Sequence, residues 1–85
     1  MTTPTPKGPL AEAAKTHSRR CGNTVYAAIA DNGEVLTGTT FSRTAAAQKA
    51  IDLDNAWGVA IFDDGDWTES WDEVACRHEV NKQAA

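Results

Sequence analysis

Two histidines and two cysteines open the chemical reading of this chain. His17 and Cys21 lie four residues apart, so a helix would place them on one face. Cys76 and His78 lie two apart, which makes them neighbours only where the chain is extended. A Cys₂His₂ set suits tetrahedral zinc. The Cys-x-His spacing does not suit a helix, however, and structural zinc sites use tighter paired spacings. Metal is therefore not expected, and no other cofactor is. A Cys21–Cys76 disulfide is disfavoured in a reducing compartment. The sequence leaves open whether the thiols are free, bridged or metal-bound.

The second group is acidic. Asp63, Asp64, Asp66 and Glu69 crowd around Gly65, and Asp72 and Glu73 follow. An EF-hand fails here, because with Gly65 as the loop glycine its ligands would fall on Ala60 and Phe62. Carboxylates on a solvated turn lack the pocket that paired acid–base catalysis needs. No Gly-x-Ser-x-Gly elbow and no phosphate-cradling glycine loop occurs. The expectation is a protein without catalytic residues.

The third group is aromatic. Trp57, Trp67 and Trp71 fall within fifteen residues, two of them inside the acidic stretch. Tryptophan is favoured at interface hot spots, and acids around it steer a basic partner. Trp57 is expected in the core, while Trp67 and Trp71 suit either core or contact. The candidate partner-binding set is thus Asp63, Asp64, Asp66, Trp67, Glu69, Trp71, Asp72 and Glu73.

Charge over the whole chain fits this reading. The 85 residues carry a net charge of −4, unevenly spread. Residues 51–75 hold eight carboxylates and no Lys or Arg, whereas residues 1–50 hold six basic and three acidic residues. The acidic half repels phosphate backbones and attracts basic surfaces. Lys7, Lys15, Arg19 and Arg20 form one loose basic patch, without the aromatic interleaving of a nucleic-acid site.

The elements that must position these groups can be read from pattern. With 41% hydrophobic and 24% charged residues, the chain has the composition of one small globular domain with a thin core. Residues 1–9 are Thr- and Pro-rich and are expected to be a disordered tail. Residues 10–81 form the domain, and 82–85 fray. A weak helix over Leu10–Arg20 would turn Leu10, Ala13, Ala14 and His17 to one side. Thr24–Ala30 reads as a strand covered on both faces, with Val25, Ala27 and Ile29 on one and Tyr26, Ala28 and Ala30 on the other. Asp31-Asn32-Gly33-Glu34 is a hairpin turn into a returning strand over 35–40, where Gly38 suggests a bulge.

Ser42 or Thr44 caps a helix over Arg43–Leu53, with Phe41 at the staple position and Ala46, Ala47, Ala50 and Ile51 inward. Trp57–Phe62 is a strand with Trp57, Val59 and Ile61 on one side, and Asp63–Asp66 is a second turn. Trp67–Glu69 then makes a short strand. A Ser70–Glu73 capping box begins a helix over Trp71–Asn81 carrying Trp71, Val74, Ala75 and His78 on one side. One long strand sharing a face among Trp67, Glu69, Trp71 and Glu73 is the rival for this last stretch. The fold class is α+β: a small antiparallel sheet packed by a central helix and a C-terminal helix.

Asn32-Gly33-Glu34-Val35-Leu36, then Phe41-Ser42-Arg43, then Thr44-Ala45-Ala46-Ala47 and Ile51 resemble the ββα unit of the small YegP-like family, often found as tandem repeats. The resemblance covers residues 28–51 and implies a hairpin leading into a capped, Ala-rich helix. It implies no catalytic residue. The chain departs from that family at Arg19-Arg20-Cys21-Gly22, where a further strand is usual, and in having no second copy.

No apolar run approaches the ~20 residues of a membrane span, and no secretory layout opens the chain, so a cytoplasmic protein is expected. The leading functional expectation is a small acidic protein-binding module that docks on the basic surface of a larger partner. An inhibitor of the anti-CRISPR or anti-restriction type, carried by a phage or mobile element, has this size and charge. The alternative is a nucleic-acid accessory domain using the basic N-terminal segment.

Overall fold

The computed structural model describes residues 3–84. Along the chain run α1 (Pro9–Cys21), β1 (Val25–Ala30), α2 (Arg43–Asp52), β2 (Ala56–Asp63), β3 (Asp66–Asp72) and α3 (Glu73–Ala84). The strands form an antiparallel sheet in the order β1-β2-β3. The fold is α+β, as the pattern predicts.

Both faces of the sheet are covered, and the alternation of β1 explains why. Val25, Ala27 and Ile29 pack with Ala11 and Ala14 of α1 on one face. Ala28 and Tyr26 pack with α2 and α3 on the other, among Ala46, Ala47, Ala50 and Cys76. β2 divides likewise, with Ala60 and Phe62 toward α1 and Val59 and Ile61 toward α2. Phe62 is the largest fully buried side chain, and burying such a ring contributes about 2 to 3 kcal/mol.

Two bulges break this alternation. Against β1, Ile29 pairs with Gly58 but Ala30 pairs with Ala56, so Trp57 is skipped. Against β3, Ile61 pairs with Glu69 but Phe62 pairs with Trp67, so Thr68 is skipped. An extra residue moves everything beyond it to the opposite face. Trp57 therefore joins the α1 side, away from Val59 and Ile61, which corrects the expectation that the three point together. Trp67 lies on the α1 side and Trp71 on the α2 side.

The last two elements also differ from expectation. β3 runs on through Trp71 to Asp72, because the main chain of β2 from Gly58 to Asp63 offers it a full ladder. The helix starts only at Glu73, and its cap is Asp72, whose Oδ1 accepts the Ala75 N–H at 3.0 Å. The Ser70–Glu73 capping box does not form at this helix start. Cys76, Glu79 and Val80 face inward, while Val74 is 76% exposed and His78 is exposed. The rival long strand has its length right as far as Asp72. Its shared face fails at the Thr68 bulge.

α1 presents Ala11, Ala14 and Ser18 to the sheet, and Leu10, at 41% exposed, faces outward with Ala13. Small side chains at this spacing let the helix lie close enough for Ser18 to reach the β2–β3 turn. Gly22 ends α1 in the left-handed region, its N–H on the Ser18 carbonyl. α2 is capped by Ser42, whose side chain accepts from Ala45 N–H, and buries Ala46, Ala47 and Ala50 as expected. Phe41 is 57% exposed and meets the His17 ring at 5.3 Å between centroids.

The expected returning strand is reduced to two bridges, Ile29↔Val35 and Tyr26↔Thr40. Residues 3–8 differ from the disordered tail expected of them. Lys7 forms a parallel bridge with Glu34, its N–H donating to the Gly33 carbonyl and its carbonyl accepting from Val35, and Pro6 is buried. Main-chain pairing along the free side of 33–35 supplies what the side chains cannot. Met1, Thr2 and Ala85, also assigned to the expected tail and frayed end, lie outside the described residues, and α3 continues to Ala84.

Candidate functional site: the acidic β2–β3 hairpin

Asp64 and Gly65 join β2 to β3 with φ of 51° and 86°. Two successive left-handed residues are what a tight hairpin turn requires, and an Asp-Gly pair accepts them readily. The turn is pinned from below. Gly65 N–H donates to Ser18 Oγ at 2.8 Å, and Ser18 Oγ–H donates to the Lys15 carbonyl at 2.9 Å. The Arg19 guanidinium lies over Gly65 so closely that an added Cβ would meet its Nε at 2.6 Å. Asp63 accepts from the Thr24 hydroxyl at 3.4 Å. The side chains of Asp63, Asp64 and Asp66 remain exposed.

Further along β3, which borders the sheet, Glu69 is exposed. Trp67 is half-buried and held lengthwise, its indole N–H shared between the Glu69 carbonyl at 3.0 Å and Ser70 Oγ at 2.8 Å. A bulge, a fixed indole and acidic side chains together blunt this edge against pairing with another strand.

The candidate residues thus fall into two groups. Asp63, Asp64, Asp66, Trp67 and Glu69 lie at the turn end. Asp72 and Glu73 lie at the far end of β3, roughly 20 Å away at the usual rise per strand residue. Asp72 caps α3, and Glu73 pairs with Arg77 at 2.8 Å. Trp71 is on the opposite face, 5.7 Å from the Tyr26 ring and 5.0 Å beneath the Arg43 guanidinium. Arg43 in turn pairs with the buried Glu79 at 2.9 Å. Trp71 is therefore a packing residue clamped between α2 and β1.

The basic residues separate as well. Lys7 belongs to the segment beside Glu34, while Lys15 lies mid-helix and Arg19 and Arg20 fall in the last turn of α1, with Arg19 over Gly65. The position of Arg19 over Gly65 has no signature in the sequence, since it depends on how α1 docks.

The cysteines and histidines do not converge. Cys21 packs on the α1 side of the sheet and Cys76 is buried on the α2 side. His17 Nδ1 is bound to Thr39 Oγ1 at 2.7 Å, and His78 is exposed on α3. The sheet between the two thiols excludes both a shared zinc and a bridge in this fold. Burial, with Asp72 and Glu73 adding, pushes the Cys76 thiol up to about 11. Among the described residues no helix is long and apolar enough to cross a membrane. Compared with protein-family models, with curated proteins and with solved structures, the chain finds no match in any of the three.

Proposed function

We propose that this chain is a non-enzymatic protein-binding module that docks through its acidic β2–β3 hairpin on a basic surface of a larger partner. One observation carries this reading. Asp63, Asp64, Asp66 and Glu69 are all exposed on one hairpin, and the ion pairs among the described residues use Glu73 and Glu79 instead. Such a field speeds encounter with a cationic surface and weakens with salt. Trp67 supplies a half-buried aromatic beside the acids, whereas Trp71 packs, Asp72 caps α3 and Glu73 is held in a surface ion pair with Arg77. A cytoplasmic inhibitor of phage or mobile-element type, of the anti-CRISPR or anti-restriction kind, fits this size and charge.

The nucleic-acid alternative draws no support from the geometry, because Arg19 already faces the acidic turn. A gel shift with the native protein checks it directly, and retardation abolished by Lys15→Ala, Arg19→Ala and Arg20→Ala would revive it.

The main experiment is a tagged pull-down with mass spectrometry, run with the native protein and with Asp63→Asn, Asp64→Asn and Asp66→Asn combined. Asn keeps the left-handed conformation accessible at position 64, so the turn survives. A partner held by the native protein and lost by the variant supports the reading. Equal retention, with equal salt dependence of binding, sinks it.

A further inference from the structure

The cross-strand ladder between β1 and residues 35–40 is broken in its middle. Leu36 N–H donates to the Ala28 carbonyl and Thr40 exchanges both main-chain bonds with Tyr26, but Ala28 N–H donates to the Thr37 hydroxyl oxygen. The chain bows outward at Thr37-Gly38-Thr39. Between the bow and α2 lies a cavity of about 370 Å³, whose lining includes Tyr26, Thr37, Thr40, Ala45, Ala46 and Lys49. That volume is at the small end of the ~300–1,000 Å³ range of ligand pockets.

The lining has two chemical halves. Tyr26, Ala45 and Ala46 supply apolar surface. Among the other lining residues, Thr37 Oγ1 accepts from Ala28 N–H at 3.2 Å and Thr40 Oγ1 accepts from Ser42 N–H at 3.2 Å. Each of these bonds uses the oxygen as acceptor and leaves the hydroxyl proton to donate. Lys49 sits one helical turn beyond Ala45, and the ion pairs among the described residues do not use it. Two fixed hydroxyl donors and an ammonium around an apolar floor form a recognition set for a negative group on a short apolar body.

We propose that this cavity binds a small organic carboxylate, with its anionic end on Lys49, Thr37 and Thr40 and its body against Tyr26, Ala45 and Ala46. The site uses none of the hairpin's residues, and the two readings stand or fall separately. The test titrates ¹⁵N-labelled protein with benzoate, and with benzyl alcohol as the uncharged control. Saturable shifts are expected at the amides of Gly38, Thr39, Ala45 and Lys49, with benzoate at least about fivefold tighter than the alcohol. Lys49→Gln should erase that preference. Ala45→Leu, at an exposed position where the fold tolerates bulk, should block both compounds while the rest of the spectrum is unchanged. No saturable shift, shifts centred elsewhere, equal affinity for the two compounds, or a preference that survives Lys49→Gln would each overturn the proposal.

Discussion

Ser18 is fully buried, and its single hydroxyl joins α1 to the β2–β3 turn. Ser18→Ala leaves the buried Gly65 N–H without its acceptor, a loss of about 1 to 3 kcal/mol. Urea denaturation should show that loss, together with faster hydrogen exchange at Gly65. Gly58 is constrained differently. A Cβ there would overlap the Trp71 carbonyl oxygen and crowd the Asp72 Cα, both main-chain atoms that cannot swing aside. Gly58→Ala should cost about 3 kcal/mol, whereas Gly38→Ala, which meets nothing within 4 Å, should stay within about 1 kcal/mol. Cys76 gives a pH dependence. Its thiol is raised from 9.0 to about 11, so as pH climbs the unfolded chain releases this proton before the folded one does. The resulting stability is complete below pH 9 and drains away up to pH 11, by about 3 kcal/mol. Denaturation curves across that window should fall more steeply for the native protein than for Cys76→Ala, and parallel slopes would refute the assignment.

The elements were legible wherever a local pattern decides them. β1, α2 and β2 follow from alternation, an N-cap and a stripe of alanines. The Asp64-Gly65 turn follows from its pair, while in the first turn Gly33 alone is left-handed and Asn32 is not. What the pattern could not carry is phase. Trp57 and Thr68 are ordinary residues in sequence, yet each is the extra residue of a bulge, which only the partner strand defines. The boundary at Asp72 is similar, since β2 holds Ser70 and Trp71 extended against their helical pattern. In α1 the larger side chains suggested one face, while close docking selected the smallest ones. This yields a paired test by thermal or urea unfolding. Ala14→Leu should overpack the sheet contact and cost about 1 to 3 kcal/mol, whereas Ala13→Leu should be near neutral. Equal effects would mean that the helix docks on its other face. Deleting Thr68 should be tolerated better than Ala14→Leu, because Trp67 and Trp71 then stand three apart and a regular ladder still keeps them on opposite faces.

Across the whole molecule, the charge map was legible and its geometry was not. The sequence separates an acidic second half from a more basic first half. Folding returns Arg19 to Gly65, so the basic side chain in the last turn of α1 and the acidic turn share one corner. Of the eight candidate contact residues, Asp63, Asp64, Asp66, Trp67 and Glu69 stay together on the hairpin, while packing claims Trp71, capping claims Asp72 and a surface ion pair holds Glu73. Neutralising the three turn aspartates should slow association with a basic partner and flatten its salt dependence, with little change in dissociation, as stopped-flow mixing at several ionic strengths would show.

The bond from Gly65 to Ser18 spans 47 residues of chain. A ribosome releases α1 well before the turn that receives it, so the helix emerges with Ala11, Ala14 and Ser18 uncovered. A helix this short is marginal in water when undocked. It can lean on β1 early, but its face is covered only once β2 arrives. The Ser18 bond waits for the β2–β3 turn, a long loop whose closure comes late in folding. A nascent chain stalled before β2 should therefore carry α1 open to proteases or chaperones. Release of the second hairpin is the event that shuts the molecule.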